Sequence, residues 1–179
     1  ILYIMLRFLI GCWLLFVCTI NVMGQYNAPS NKVWVFGYRA GVNFNTGSPV
    51  PFTSAIRIYE GCASVSNSSG SLLFYTDGQA IFNRLGNVMP SSPGTVFTNG
   101  FRDNGTQNAL IVPVVGNANR YYVFWVAPGG GALRYWTVDM TLAGGLGDVV
   151  GAAVTIGSGY TEKLIAIQGT NCNIWVMVH

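Results

Sequence analysis

The sequence predicts an all-β fold, and its composition, its strand periodicity and an internal repeat all indicate it. Only 8% of the 179 residues are charged, whereas 13% are aromatic and 23 are glycine. Strands favour aromatic and β-branched residues, and the charged faces that surface helices carry are nearly absent here. Along residues 132–139, two sets of side chains alternate with a period of two, which indicates a strand rather than a helix. A chain of this length can bury one proper core, so we expect a single domain.

Residues 1–24 are predicted to be a secretory signal peptide that lies outside the fold. Arg7 supplies a short basic region, residues 8–22 supply an apolar region, and residues 22–24 supply a cleavage site. Two alternatives stay open. The segment is nearly long enough to be an uncleaved membrane anchor, and residues 9–12 resemble a lipoprotein processing box.

The folded domain is predicted over residues 33–179, after a short polar linker at residues 25–32. The chain starts with Ile rather than Met, and it stops in the middle of a strand pattern at His179. We therefore expect it to be a fragment of a longer reading frame.

Turn-forming residues divide the domain into short predicted strands. Residues 34–36 and 42–44 are predicted strands, and Gly37 and Gly41 are predicted bends between them. Residues 60–82 hold two more strands and the start of a third, separated by a Ser/Asn/Gly turn and an Asp-Gly turn. The other predicted strands are residues 110–115, 121–126, 132–139, 150–157, 164–167 and 174–178, and the predicted surface loop is residues 90–105.

Three pairs of strands repeat along the chain, which predicts a radially repeated sheet. An aromatic residue recurs in the second strand of each pair, at Phe74, Phe124 and Trp175, with a spacing of about fifty residues. This period, with several short strands per unit, is typical of a β-propeller. The predicted fold is therefore all-β and β-propeller-like, with about three four-stranded antiparallel blades of a longer, truncated ring. The paired strands are residues 63–65 with 72–76, 110–115 with 121–126, and 164–167 with 174–178.

The middle repeat predicts the order of strands within a blade. The inner strand lies near Leu110, the second near Phe124, the third near Tyr135 and the outer strand near Val154. Blades bury their faces against each other, so the last unit of an open arc leaves one face uncovered. We expect that exposed, aggregation-prone face at residues 164–178.

Few residues suggest chemistry, and no catalytic residue, metal ion or cofactor is expected. Two buried free thiols at Cys62 and Cys172 are favoured over a disulfide between them. His179 is the only histidine, so neither a His-based triad nor a multi-His metal site can be built. Residues 144–148 lack the dinucleotide spacing and the Walker lysine. Asp77 precedes glycine, which favours a hairpin turn over a catalytic acid.

Three polar residues are the predicted ligand-binding set: Glu60, Gln107 and Glu162. Each precedes an inner strand of its repeat, with Gln107 and Asn108 near the matching place in the middle unit. In a propeller these positions surround the mouth of the central channel, where ligands often bind. Two carboxylates there could act as the acid and base of a glycosidase. The other interpretation is structural, with the side chains holding hydrogen bonds between strands.

Five sequence stretches together resemble the N-terminal propeller-like domain of large exported proteins of Bacteroidota. Those proteins commonly end in a gliding-motility-associated C-terminal domain that serves as a sorting signal for type IX secretion. The resemblance implies a secreted or cell-surface protein with adhesin-like modules downstream, and it implies no catalytic residues. The stretches are residues 34–50, 60–78, 133–149, 161–168 and 173–179.

The predicted function is that of a non-enzymatic recognition or spacer module, possible roles being adhesion or glycan binding at the cell surface. The expected partner is an extracellular glycan or a surface protein, with no membrane contact after signal cleavage. The formal net charge of +3 includes Arg7, and no basic cluster is present, which argues against nucleic acid. The alternative is an extracellular glycan-processing enzyme with its site at the mouth of the channel.

Overall fold

The computed structural model describes residues 28–93 and 105–179, and this part of the chain is all-β as predicted. Helical structure within it is limited to two short 3₁₀ turns, Pro29–Asn31 and Ala143–Gly145. Within residues 28–93 and 105–179, twelve strands form four antiparallel sheets, which follow one another in chain order. The predicted signal peptide, residues 25–27 of the predicted linker and residues 94–104 of the predicted loop lie outside the described residues.

The first sheet contains β1 (Val33–Phe36), β2 (Tyr38–Asn43) and β3 (Val50–Arg57) in that order. The sequence did not predict β3. Gly37 makes the turn after β1 with a φ of 57°, as expected of a bend. The bend predicted at Gly41 is wrong, because Gly41 lies inside β2, where a Cβ atom would collide with the Phe52 ring.

The second sheet contains β4 (Ala63–Ser66), β5 (Leu72–Thr76) and β6 (Ile81–Asn83), which matches the prediction for residues 60–82. The turn after β4 is organised by Asn67, whose Oδ1 accepts hydrogen bonds from the backbone N–H of Ser69 at 3.0 Å and from other groups of the turn. Such side-chain bonds satisfy the backbone groups that a strand leaves open at its end.

The third sheet has four strands, and its order confirms the order predicted for the middle repeat. From one edge to the other it runs β10, β9, β8 and β7, each antiparallel to its neighbour. The bounds are β7 (Ala109–Pro113), β8 (Arg120–Val126), β9 (Ala132–Asp139) and β10 (Asp148–Ser158).

The fourth sheet is a hairpin of β11 (Leu164–Gln168) and β12 (Ile174–Val178). Four strands therefore occur in the third sheet alone, and the other described sheets have two or three. No closed ring of sheets is present among residues 28–93 and 105–179.

Successive sheets pack face to face, and each junction contains its own apolar cluster. Since the third sheet is covered on both faces, β9 is buried on both sides: Trp136 and Val138 face the second sheet and Leu133 faces the fourth. The buried members are Val35, Ile56, Ile58, Tyr75, Ala80 and Phe82 at the first junction, Val65, Phe74, Ile81, Met89, Tyr121, Val123, Trp136, Val138, Met140 and Val149 at the second, and Val112, Phe124, Val126, Leu133 and Leu164 at the third.

The outer face of the fourth sheet is apolar, and no other described sheet covers it, which matches the expectation for the last unit. Ile165, Ile167, Trp175 and Met177 alternate with the side chains that pack on the third sheet, and all four are exposed. Trp175, the repeated aromatic of this unit, is 62% exposed, whereas Phe74 at the second junction is fully buried. An alternating apolar face of this kind is built to pack against another sheet.

Candidate functional site

Glu162 and Gln107 lie side by side, where the segments leading into β11 and β7 meet. The backbone N–H of Gln107 donates to the carbonyl oxygen of Glu162 at 3.0 Å, and Gln107 forms a parallel bridge with Lys163. The Gln107 carbonyl in turn accepts a hydrogen bond from the N–H of Leu164 at 3.2 Å. The first strands of the third and fourth sheets thus run in the same direction, next to each other.

Both carboxylate oxygens of Glu162 hold backbone groups of the third sheet. Oε2 accepts a hydrogen bond from the N–H of Thr106, and Oε1 accepts one from the N–H of Gly129, each at 3.0 Å. Charged acceptors make such bonds stronger than neutral ones. The geometry therefore gives Glu162 a bracing role between two loops, and its predicted role in binding a ligand stays a prediction.

Glu60 lies at the same end of the sheets, on an exposed turn before the second sheet. Its neighbour Gly61 donates its N–H to the carbonyl of Gly105 at 2.8 Å. This bond joins the second sheet to the third in the same way that the bond from Gln107 to Glu162 joins the third sheet to the fourth. Gly61 is therefore equivalent to Gln107, and Gly105 is equivalent to Glu162. The two glutamates are consequently not at equivalent positions.

Asn108, which follows Gln107 in the chain, is a buried polar residue at this end of the sheets. Its side chain is 1% exposed and lies against Gly61 and Gly105, where any Cβ atom would collide with the carboxamide. Neither its Oδ1 nor its Nδ2 has a hydrogen-bond partner among the described residues. Gln107, which the sequence favoured, is exposed instead.

A second candidate lies at the opposite ends of β4 and β7. We call it the serine cleft and define it by Ser64, Ser66, Asn117, Asn119 and Tyr121. It has a volume of about 1110 Å³, and none of its described lining residues is charged.

Ser66 gives the serine cleft its clearest polar feature. The side chain is 2% exposed, and its Oγ has no hydrogen-bond partner among the residues that the structure describes. Ser64 differs, because its hydroxyl donates to the carbonyl of Val33 at 3.0 Å and accepts from the N–H of Val35. Buried hydroxyl groups normally have a partner, so Ser66 could bond a ligand without giving up an internal contact.

The sequence did not identify the serine cleft. Its walls come from turns of two different sheets. The sequence predicts these turns only as connections between strands. The available signal was that polar turns rich in Asn and Ser follow both inner strands, at residues 67–70 and 116–119.

Two expectations about turns and thiols can be judged from the structure. Asp77 is a turn residue as predicted, because its Oδ1 accepts the backbone N–H of Gln79 at 2.9 Å and that of Ala80 at 2.6 Å. Cys62 and Cys172 are both free. The expectation of two buried thiols is wrong, because Cys172 is exposed in a turn with a positive φ and Cys62 is only half-buried.

Burial and the nearby Asp77 carboxylate raise the pKa of the Cys62 thiol, although a hydrogen bond from the backbone of Gly37 lowers it. A thiol with a raised pKa is a poor nucleophile near neutral pH. Within the described part of the chain, no three His, Cys, Asp or Glu side chains group closely enough to hold a metal ion.

Comparison with profiles of known protein families, with curated proteins and with solved structures found no match for this chain. In residues 28–93 and 105–179 no helix has the length and apolar character needed to cross a membrane.

Proposed function

We propose that the chain is a non-enzymatic recognition module whose serine cleft binds a neutral glycan. The observation that carries this proposal is the cleft itself, which combines hydroxyl and amide side chains and has no charged lining residue. Sugars offer many hydroxyl groups, which such side chains match by hydrogen bonding. The size of the cleft is ample for a short oligosaccharide.

The competing function, a glycan-processing enzyme, would need a pair of carboxylates as acid and base. Glu60 and Glu162 are the predicted pair. Glu162 already uses both oxygens to bind the N–H groups of Thr106 and Gly129. Catalysis by this residue would therefore require the loss of two bonds that hold the loops, which favours recognition over hydrolysis.

The proposal includes a propeller-like arrangement, which the packing of the sheets supports. The four sheets stack in chain order, the first strands of the third and fourth sheets are parallel neighbours, and the fourth sheet presents an apolar face that a further sheet would cover. If this is correct, a longer chain that adds such sheets should scatter X-rays as a compact disc. An elongated particle would contradict the ring.

Export and a place at the cell surface also belong to the proposal. They are supported by the signal-peptide pattern of residues 1–24 and by the resemblance to exported Bacteroidota proteins. Adhesion through the bound glycan, with further domains downstream, is the role that such a location favours.

A glycan array probed with the full chain tests the recognition proposal. We expect binding to at least one neutral oligosaccharide, and Ser66→Ala should weaken it about three- to tenfold because one hydrogen bond to the ligand is lost. Ser54→Ala is the matched control, since Ser54 is also buried and also lacks a partner among the described residues but lies in another cavity.

Both variants should melt at the temperature of the unmodified chain, because neither removes an internal hydrogen bond. If the chain binds no glycan on the array, the recognition proposal is wrong and the chain is better described as a spacer module. Equal binding by the Ser66→Ala and unmodified chains would remove the serine cleft as the site.

A further inference from the structure

A smaller cavity lies between the first and second sheets, and its polar groups are mainly donors. We call it the arginine groove and define it by Arg39, Ser54, Tyr75 and Arg84. Its volume is about 240 Å³, and no acidic side chain is among its described lining residues. In a chain with few charges, two arginines beside one cavity without a carboxylate produce a local positive potential.

Arg39 reaches the groove from β2, where this single residue lies opposite a bulge of β3 at residues 54–56. The regular pairing of β2 with β3 is interrupted between Tyr38 and Ala40, so Arg39 has no direct partner across the strands. Its φ is 58°, a left-handed value that residues with a side chain rarely adopt. Bulges redirect a side chain and are frequent beside binding sites. The Arg39 guanidinium makes no hydrogen bond or ion pair within the described residues, so its donors are available.

Two buried hydroxyl groups line the same groove. Ser54 is 5% exposed, and its Oγ has no partner among the described residues. The Tyr75 hydroxyl accepts a hydrogen bond from the N–H of Ala55 at 3.0 Å, which leaves its own proton for another acceptor. Burial raises the Tyr75 pKa further above its ordinary value, so the phenol keeps that proton at neutral pH.

Arg84 approaches the groove from the second sheet and is anchored. Its Nη1 donates to the carbonyl oxygen of Gly145 at 2.6 Å. A guanidinium has five N–H donors, so this bond positions the group and leaves others for a ligand. A neighbouring cavity of about 690 Å³ shares Arg84 and Phe52 with the groove and adds the amides of Asn43 and Asn45.

We propose that the arginine groove binds the carboxylate or sulfate group of an acidic sugar, whose ring extends along Phe52 towards Asn43 and Asn45. Arginine forks match the geometry of an oxyanion, and the Ser54 and Tyr75 hydroxyls supply further donors to the same group. The choice of a sugar as the carrier rests on the proposed glycan recognition, whereas the anion site rests on the groove alone.

Titration of the full chain with D-glucuronate, inorganic sulfate and D-glucose, followed by NMR shifts, tests this site. D-glucuronate should bind more tightly than sulfate, and D-glucose should not perturb the groove. Arg39→Gln should weaken D-glucuronate binding about tenfold or more, because bonds between charged groups are lost. Arg134→Gln is the control, because it removes the same charge from an exposed position on β9.

Ser54→Ala tests whether weaker binding is due to misfolding, since it removes a hydroxyl without a described partner. This variant should bind D-glucuronate more weakly while its thermal stability is unchanged. If sulfate and D-glucuronate bind equally tightly and Arg39→Gln weakens both, the groove binds free anions. That result would contradict the proposal that the anion belongs to a sugar. No binding, or binding insensitive to both variants, would overturn the groove. If neutral glycans still bind through Ser66 in that case, the proposed function survives without this site.

Discussion

Asp139 is a carboxylate that two neighbouring side chains and one backbone group hold in place. Hydrogen bonds from the hydroxyl of Thr141 at 2.6 Å and from its backbone N–H at 2.9 Å, followed by the Arg120 guanidinium at 2.8 Å, lower the pKa of Asp139 to about 2. The three bonds join the end of β9 to the start of β8 and to the following turn. The carboxylate is therefore a local clamp on the third sheet.

The lowered pKa of Asp139 predicts an acid-dependent loss of stability. The folded pKa lies below the ordinary value of 3.8, so the stabilisation is present above about pH 4 and is lost as the pH falls towards 2. Asp139→Asn should destabilise the chain at pH 7 by about 1 kcal/mol or less, because Arg120 is half exposed and solvent screens the pair. Urea unfolding at pH 7 and pH 2 measures this. A destabilisation that is as large at pH 2 as at pH 7 would contradict the clamp.

For individual residues, the sequence predicted positions more accurately than roles. It placed Glu60, Gln107 and Glu162 at matching strand starts; the structure brings Gln107 and Glu162 together, whereas Glu60 is not equivalent to Glu162. It could not show that the Glu162 carboxylate is occupied by backbone N–H groups, because those groups belong to loops distant in sequence. Ser66 was hidden for the same reason, since burial without a partner is a property of the packed sheets.

Glu162 also matters for how the elements are joined. Its carboxylate connects the segment before β11 with the segment before β7 and with the loop between β8 and β9, through Thr106 and Gly129. We predict that Glu162→Ala lowers the free energy of unfolding by about 1–3 kcal/mol, because two backbone donors lose a charged acceptor.

Glu60→Ala is the matched control for that measurement. Glu60 is exposed on a turn, so its removal should change the free energy of unfolding by no more than about 0.5 kcal/mol. Equal effects of the two substitutions in urea unfolding would show that Glu162 does not brace the loops.

Strand order within a sheet could be predicted where neighbouring strands are also neighbours in sequence. The third sheet is a simple meander, so alternation and turn residues fixed its order before any tertiary contact was known. β3 was missed, since its Val-Pro start resembles a turn. Gly41 misled for a physical reason: the glycine makes room for the Phe52 ring within β2 rather than bending the chain.

For the whole molecule, the sequence repeat predicted about three similar four-stranded sheets, and among the four described sheets the third alone has four strands. The sheets do stack in chain order, with an apolar cluster at each junction. The exposed face of the fourth sheet continues that pattern and lacks a covering sheet among the described residues. The ring therefore stays a proposal, and the stack is the framework that positions both cavities.

Hydrogen exchange with and without a neutral oligosaccharide selected on the array tests the central claim most directly. The account predicts slower amide exchange in the turns that border the serine cleft, residues 66–70 and 116–121, with little change near Glu60 and Glu162. Protection confined to the segments around Glu60, Gln107 and Glu162 would contradict the account and place the ligand at the other end of the sheets.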